Sequence, residues 1–219
     1  MSEFILTSDG VRMDRHYRYQ RYFYDSTRMH YLLGRKHLIA DLKPDAGDSV
    51  LEIGCGTAWN LAQAARFYQD ARLFGVDVSN AMLQTARASL KRKELSGRVV
   101  LRQGDATCFD PEATFGLPSF DRIFLSYALS MIPDWEVALE HAAGMIAPGG
   151  SLHIVDFGQC LELPAAFRSV LFAFLAYYTV TPRADLEQHA RETATRCGLA
   201  VELRRVHRGY SEYVVLKRS

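Results

Sequence analysis

The sequence predicts an α/β domain with a mostly parallel, seven-stranded β-sheet and helices on both faces. Short apolar segments alternate with amphipathic segments between residues 49 and 157. The apolar segments are nearly continuous runs, as expected for strands that are covered on both faces. Glycine or aspartate follows several of these runs, which is typical of sheets that bind a ligand at the carboxyl ends of their strands.

The first five strands and the helices between them can be located from these runs. A serine at position 79 is well placed to cap the second helix with its side-chain oxygen. The predicted strands are residues 49–56, 72–79, 98–106, 120–129 and 148–158, and the predicted helices are residues 57–70, 80–93 and 135–146.

The carboxyl-terminal third follows two other patterns. Residues 198–219 contain two runs joined by a short connection at residues 207–209, which predicts two antiparallel strands at one edge of the sheet. The most apolar window, residues 169–180, is shorter than the roughly 20 residues that cross a bilayer. We expect its helical stripe to pack on its own domain, with an acyl-chain groove or an interfacial helix as the alternative. The stripe consists of Leu171, Phe174, Leu175 and Tyr178.

Charge is balanced over the whole chain but not along it. The 26 Lys and Arg residues oppose 25 Asp and Glu residues, and this net charge of +1 does not indicate a nucleic-acid partner. Residues 11–43 hold eight Lys or Arg residues, three Asp residues and five of the eleven tyrosines. We therefore expect residues 1–45 to form a helical lid or substrate segment in front of an α/β domain at residues 46–219.

The cysteines do not suggest a metal site. Cys55, Cys108, Cys160 and Cys197 are widely separated and form no Cys-x-x-Cys pair, so we expect reduced thiols in a cytosolic protein and no bound metal. The first ten residues lack a basic segment followed by a long apolar run, so no signal peptide is expected. The oligomeric state is left open by the sequence.

Tyrosines and arginines alternate through the N-terminal segment. Their spacing of 4, 3, 4, 3 and 4 residues is the period of one helix face. Tyrosine rings attract cations and arginine forks bind carboxylates, so this face could bind charged groups; ordinary surface packing is the alternative. A break at residues 25–27 would end the register. The six residues are Tyr17, Arg21, Tyr24, Arg28, Tyr31 and Arg35.

The segment LEIGCGTAW restricts the ligand that the sheet can bind. Gly54 and Gly56 permit a tight turn with close approach to the backbone. Trp59 occupies the third glycine position of a dinucleotide-binding motif, and no Gly-Lys-Ser/Thr sequence follows, so neither a dinucleotide nor a P-loop phosphate site is favoured. The remaining interpretation is a turn that lets the backbone approach a compact ligand at the carboxyl edge of the sheet.

Polar residues end the following strands as well. Asp77 ends the second strand, where a carboxylate accepts the two hydroxyl hydrogens of a ribose. Asp105 ends the third strand, and Ser126 and Tyr127 end the fourth. The loops at four strand ends should therefore surround one crevice.

The segments LEIGCGTAWN, GVDVSNAML, GDA, FDRIFLSYALSMIPDW and LHIVDF occur in this order. The series resembles the motifs of class I S-adenosylmethionine-dependent methyltransferases, which have a Rossmann-like fold. The resemblance implies S-adenosyl-L-methionine as the cofactor and S-adenosyl-L-homocysteine as the product. It further implies cofactor contacts by Glu52, Gly54, Cys55 and Gly56 at the methionine part, Asp77 at the ribose, Val78, Met82, Asp105 and Ala106 at the adenine, and Ser126 at the sulfonium. Arg35 is our candidate for the methionine carboxylate.

A narrower resemblance comes from the segments YDSTRMHYLLGRKHLI and ALSMIPDW. They resemble bacterial betaine-lipid N-methyltransferases, which implies methylation of the amine of diacylglyceryl-homoserine to the trimethylated betaine lipid. This places the protein in the cytoplasm, peripheral to the inner face of an anionic membrane. Met29 and His30 depart from the pattern of that family. A phosphatidylethanolamine or small-molecule N- or O-methyltransferase is the alternative, and a protein that binds the cofactor without catalysis is a further one.

The acceptor site is assigned from the same resemblance and from the chemistry of amines. An alkylamine is mostly protonated at neutral pH and must lose a proton before attack, so a base or a desolvating site is required. His30, Tyr127 and Asp156 are candidates for the base, and the sequence does not rank them. The predicted catalytic residues are Tyr127, Tyr31 and His30, and the predicted substrate-binding residues are Tyr17, Tyr24, Arg28, Tyr31 and Tyr127.

Overall fold

The computed structural model describes residues 31–219. A short 3₁₀ helix at Leu129–Met131 follows the fourth strand. The other elements are, in order, α1 (Arg35–Leu42), β1 (Ser49–Ile53), α2 (Trp59–Phe67), β2 (Arg72–Asp77), α3 (Asn80–Arg92), β3 (Val99–Gln103), α4 (Pro111–Phe115), β4 (Phe120–Ser126), α5 (Trp135–Gly144), β5 (Ile146–Phe157), α6 (Ala165–Tyr177), α7 (Leu186–Cys197), β6 (Ala200–Val206) and β7 (Ser211–Lys217).

All seven strands form one sheet in the order β3-β2-β1-β4-β5-β7-β6. The strands β1 to β5 are parallel, while β7 is antiparallel to both β5 and β6. The predicted α/β class and the antiparallel edge are therefore confirmed. The strand order reverses between β1 and β4, and such a switch point opens a crevice at the carboxyl ends of the strands.

Two apolar layers cover the sheet. One contains buried side chains of α1, α2, α3 and α6, and the other contains those of α5 and α7. The central strand β1 is buried at all five positions, which explains why three of its five residues are apolar. Among residues 31–219, no helix has both the length and the apolar character needed to cross a bilayer.

Two helices, α4 and α7, were not predicted from the sequence. The short helix α4 begins after Asp110, whose carboxylate accepts hydrogen bonds from the backbone amides of Glu112 and Ala113. The helix α7 buries Leu186, Ala190 and Ala194, which repeat every four residues among charged neighbours. That short apolar stripe is a weak signal because small alanines provide most of it.

The helix is interrupted between Tyr31 and Arg35, so the prediction of one continuous helical face through Arg35 is wrong. Leu32–Gly34 forms a turn, and Gly34 adopts a φ of +83° before α1 begins. A side chain at Gly34 would also approach Val155 to 3.1 Å. Arg35 therefore does not continue the helical register of Tyr31. The predicted break at residues 25–27 and the ladder residues Tyr17, Arg21, Tyr24 and Arg28 lie outside the described residues.

Candidate functional site

The turn after β1 brings backbone to the edge of the sheet. The amides of Gly54 and Cys55 both donate to the carbonyl oxygen of Val76, at 2.9 and 3.0 Å. Gly54 has a φ of +71°, and a Cβ atom there would lie 2.9 Å from that of Ala128. A Cβ atom at Gly56 would meet nothing within 4 Å, so the turn faces open space at that residue. Glycine is therefore required at Gly54 by both conformation and contact.

Asp77 fixes this turn to the end of β2. Its Oδ2 atom accepts a hydrogen bond from the Gly56 amide at 2.7 Å, and its Oδ1 atom accepts one from the Ser79 amide at 2.9 Å. The side chain of Ser79 accepts from the Met82 amide and caps α3, as predicted. Each carboxylate oxygen has a second lone pair, so Asp77 can still accept from a ligand hydroxyl.

Glu52 is a buried acid behind the glycine turn. Its Oε1 atom accepts a hydrogen bond from the side chain of Asn60 at 2.6 Å. Within residues 31–219, Oε2 of Glu52 and Oδ1 of Asn60 are buried without a hydrogen-bond partner. Burial raises the pKa of Glu52 to about 8, although Asn60 and the nearby Arg35 oppose this shift. When Glu52 is ionised, the pair therefore offers two acceptors without well-aligned partners among the described residues to a group that carries donors.

Arg35 lies over the indole ring of Trp59, with 4.1 Å between its guanidinium carbon and the ring centroid. Its Nε atom donates to the carbonyl oxygen of Leu32 at 3.3 Å, and the side chain is buried. Trp59, the residue that excludes the dinucleotide motif, thus positions a cation beside Glu52. Asn60 and this role of Trp59 were missed in the sequence, because neither residue type has a characteristic pattern for it.

The candidate adenine-side residues are held in loops by protein contacts. Asp105 accepts hydrogen bonds from the backbone amide and hydroxyl of Thr107, at 2.9 and 2.7 Å. The carbonyl oxygen of Val78 accepts from Gln103, and that of Ala106 bonds to His141. These contacts give Asp105 a turn-forming role. Ligand contacts by the loop residues remain predictions.

The strand-end crevice has the chemistry needed for S-adenosylmethionine. Asp77 offers a carboxylate for ribose hydroxyls, and Glu52 with Asn60 offers acceptors for an ammonium group. The buried hydroxyl of Ser126 at the end of β4 likewise has no partner among the described residues. Cys55 is buried, and burial raises the pKa of its thiol, so it acts as a small packing residue rather than a nucleophile. The residues present therefore fit this cofactor.

A second cavity lies farther along the same edge, beyond β4 and β5. Its empty volume, including the mouth, is about 290 Å³. Ten of the residues in the described part of the chain line it, of which none is charged and five are aromatic. They are Tyr31, Leu32, Tyr127, Ser130, Met131, Phe157, Phe174, Leu175, Tyr178 and Val180. We call this cavity the aromatic pocket.

Tyr127 lines the aromatic pocket with a hydroxyl group that is already bonded. The hydroxyl lies 2.5 Å from the carbonyl oxygen of Leu33 and 2.7 Å from Oγ of Ser211. Burial raises the pKa of Tyr127. A phenol with a raised pKa that donates to a carbonyl is a poor general base at neutral pH, so this geometry argues against Tyr127 as the residue that removes the proton. Tyr31 packs edge-on against Phe174, and His30 lies outside the described residues.

A Tyr127→Phe substitution should therefore affect folding more than cofactor binding. We expect the free energy of unfolding to fall by about 1–3 kcal/mol, because the carbonyl of Leu33 and the hydroxyl of Ser211 lose a buried partner. Urea unfolding measures the loss, and calorimetry should show unchanged binding of S-adenosylhomocysteine. Tyr178→Phe in the same pocket is the control, with no expected loss of stability. Equal stability of the two variants would contradict this role of Tyr127.

Asp156 and Ser130 form a polar pair at the wall of the aromatic pocket. The carboxylate of Asp156 accepts hydrogen bonds from the amides of Ser130 and Phe157, at 3.1 and 2.8 Å. The Ser130 hydroxyl makes no well-aligned hydrogen bond among the described residues, yet it lies near enough to Asp156 to lower the pKa of this acid. Burial has the larger effect and raises the pKa of Asp156. Ser130 was not singled out from the sequence.

Comparison with known proteins supports the interpretation of the strand-end crevice. Residues 50–150 match a family model described as a methyltransferase domain. An O-methyltransferase of Penicillium expansum is 34% identical over 115 residues, which is 52% of this chain and 40% of that protein. A demethylmenaquinone methyltransferase of Listeria monocytogenes is 27% identical over 190 residues, which is 82% of this chain and 78% of that protein.

A solved structure has the same fold. The phosphoethanolamine N-methyltransferase 2 of Haemonchus contortus, in complex with S-adenosyl-L-methionine, superposes with a TM-score of 0.64 at 19% identity. The superposition covers 84% of this chain and 52% of that one. The present chain thus spans about half the length of several proteins that it matches.

The sheet order and the match of residues 50–150 to a methyltransferase-domain model identify a Rossmann-like methyltransferase fold. The chain therefore carries the domain of a methyl-transferring enzyme. The resemblance to betaine-lipid enzymes concerns the acceptor, which these relatives do not define.

Proposed function

We propose that this protein is an S-adenosylmethionine-dependent N-methyltransferase that acts on the amine of a lipid head group. The observation that carries the proposal is the aromatic pocket, which lies at the carboxyl ends of β4 and β5 and has no charged lining residue among residues 31–219. Diacylglyceryl-homoserine is our preferred acceptor because of the sequence resemblance at residues 24–39. A phosphatidylethanolamine or small-molecule acceptor is the alternative.

The pocket is suited to an amine that becomes a fixed cation. Tyr31, Phe174 and Tyr178 form a chain of edge-to-face rings, with centroid separations of 5.7 and 5.0 Å. Aromatic faces attract a methylated ammonium by about 0.5–2 kcal/mol each. An uncharged environment also disfavours the protonated substrate amine, and so increases its nucleophilic fraction.

The cofactor supplies a methyl group on a sulfonium sulfur when bound. Asp77 is proposed to accept the ribose hydroxyls, and Glu52 with Asn60 to accept the ammonium group of the methionine part. Arg35 is the proposed partner of its carboxylate, since the guanidinium is already held by Trp59. Val78, Met82, Asp105 and Ala106 remain proposed adenine neighbours, with Ser126 and Tyr127 between the two sites.

We propose that the amine releases its proton to the carboxylate of Asp156 and that the Ser130 hydroxyl passes the proton between them. Ser130 lines the aromatic pocket and Asp156 lies behind it, so a hydroxyl that can rotate links the pocket to a carboxylate. The raised pKa of Asp156 makes it a better proton acceptor than an exposed carboxylate.

The similarity to demethylmenaquinone methyltransferases supports a second candidate function. It covers most of both proteins, in contrast to the match with the Penicillium O-methyltransferase. A quinone acceptor would also suit an uncharged aromatic pocket. It differs from an amine in lacking a group that becomes cationic on methylation.

The proposal is tested by incubating the protein with methyl-labelled cofactor and candidate acceptors in detergent micelles. We expect labelled mono-, di- and trimethylated products with diacylglyceryl-homoserine, weaker labelling of phosphatidylethanolamine and none of demethylmenaquinone. A Ser130→Ala variant should lower kcat more than it raises KM, by about 10²-fold if the hydroxyl transfers the proton. Labelling of the quinone alone would replace this proposal with the second candidate.

A further inference from the structure

We propose that the exposed apolar face of α6 docks on the surface of a lipid bilayer and places the mouth of the aromatic pocket at the lipid head groups. This inference rests on the proposed lipid acceptor and names the partner of that same site. The apolar face consists of four residues of α6 together with Leu161 in the turn before the helix; the four are Phe167, Val170, Phe174 and Tyr177.

The apolar face concentrates most of the large hydrophobic side chains that are exposed among residues 31–219. Five of the eight such residues belong to it. Val170 is 72% exposed and Tyr177 is 77% exposed, and the four members within the helix repeat at intervals of 3, 4 and 3 residues. This spacing puts them on one stripe. A contiguous apolar surface of this kind marks an interaction site rather than a solvated helix.

The rest of α6 does not compensate with charge. Only Leu175 of its 13 residues is buried, and Arg168 is its one charged residue. Every exposed position of the helix is uncharged. An exposed helix of a water-soluble domain normally carries charged residues on its outer face. At about 1.5 Å per residue, 13 residues give roughly 20 Å, so α6 is suited to lying on a bilayer rather than spanning it.

The apolar face continues into the acceptor cavity. Phe174 belongs to both, because it is exposed and also lines the aromatic pocket. Leu175 and Tyr178, at the same end of the helix, line the pocket as well. A lipid could therefore move its head group from the bilayer into the pocket along this helix without crossing a charged surface.

Basic residues adjoin the start of the apolar face. Arg168 is the helix's own cation, and Arg208 donates to the carbonyl oxygen of Glu162 at 2.9 Å. The Glu162 side chain itself is an exposed acid in the same segment. Two guanidinium groups against one carboxylate favour a negatively charged lipid surface, where each adjoining cation contributes about fivefold in affinity. This complementarity, together with the pocket, favours a bilayer over a second copy of the chain.

Vesicle flotation of the full chain tests the inference without donor or acceptor present. Vesicles of phosphatidylcholine, alone or mixed with phosphatidylglycerol, are the probes. We expect the wild type to bind both, with higher affinity for the anionic mixture. The double variant Val170→Glu/Tyr177→Glu should lose at least about tenfold in partitioning, because two exposed apolar side chains that would enter the bilayer are replaced by charges. Arg168→Gln should lower only the preference for the anionic vesicles.

A matched control is provided by Val137, which is 51% exposed on α5 in the opposite helical layer. Val137→Glu should leave vesicle binding unchanged. Absence of wild-type binding, or an equal loss in the control, would overturn the inference. Light scattering that shows a dimer dissociated by the double variant, with no vesicle binding, would instead assign the face to a second copy.

Failure of the docking inference can be distinguished from failure of the proposed activity. In detergent micelles, the double variant should methylate the lipid acceptor as fast as the wild type, because neither substituted residue lines the pocket. Vesicle binding without methylation of any lipid would support docking and reject the acceptor. Methylation in micelles without vesicle binding would support the lipid acceptor and reject the docking inference.

Discussion

Replacement of Asp77 by asparagine is expected to lower the affinity for S-adenosylhomocysteine about 100-fold, or about 2.7 kcal/mol. The carboxylate accepts from two backbone amides, and a carboxylate oxygen can accept more than one hydrogen bond, so the same group can bind ribose hydroxyls. An asparagine has one acceptor oxygen, and its NH₂ group would oppose either the Gly56 or the Ser79 amide. Hydrogen bonds to a charged acceptor contribute about 1.5–3 kcal/mol each, so losing them accounts for the expected change. Titration calorimetry measures it.

Asp110 provides the matched control for this substitution. Its carboxylate also accepts from two backbone amides, but at the exposed start of α4. Asp110→Asn should cost about 1 kcal/mol of stability or less and leave cofactor affinity unchanged. If Asp77→Asn bound S-adenosylhomocysteine as tightly as Asp110→Asn, the crevice would not be the cofactor site.

The features of the fold and site that depend on residues close together in the sequence could be predicted from the sequence. Strand β1 and the middle of strand β4 are buried, so apolar residues predominate in both strands. Gly54 and Asp77 follow strands directly, and parallel strands bring their carboxyl ends to one edge whatever the details of packing. The crevice was therefore predictable before any side-chain contact was known.

The contacts that join distant segments could not be predicted in this way. Arg35 meets Trp59 only because α1 packs beside α2, and the sequence separation of 24 residues carries no periodic signal. Tyr127 was assigned to catalysis because it follows β4, but its hydroxyl reaches Leu33 and Ser211. Whether a phenol is a base or an anchor depends on its partners, which come from other parts of the fold.

The N-terminal ladder shows the limit of periodicity itself. A spacing of 4 and 3 residues predicts one helix face through Arg35, but the turn at Leu32–Gly34 interrupts it. The left-handed Gly34 and its close approach to Val155 were the deciding features. A single glycine in a helical pattern is a weak signal unless the packing around it is known.

Replacement of Glu52 by glutamine should have opposite effects on stability and on binding. The pKa of Glu52 in the folded chain is about 8, above its ordinary value of 4.5, so the folded state holds a proton that the unfolded state releases. This group therefore makes the folded chain less stable as pH rises from about 4.5 to 8. Without the ionisable acid, the variant should be about 1–3 kcal/mol more stable at pH 8 and equally stable near pH 4.5. Urea unfolding over this pH range measures the difference.

The same substitution should weaken S-adenosylhomocysteine binding about tenfold at pH 8, because the proposed partner of the ammonium group loses its negative charge. Glu212 separates the two effects: burial raises its pKa to about 7, but it lies on β7, which is separated from β1 by two strands. Glu212→Gln should therefore also flatten the pH dependence of stability while leaving cofactor affinity unchanged. Equal losses of affinity in the two variants would show that Glu52 acts through the general charge of the domain and not through a contact. A loss confined to Glu52→Gln would support its placement at the methionine end, where burial of the acid destabilises the empty crevice and a bound ammonium group would stabilise the filled one.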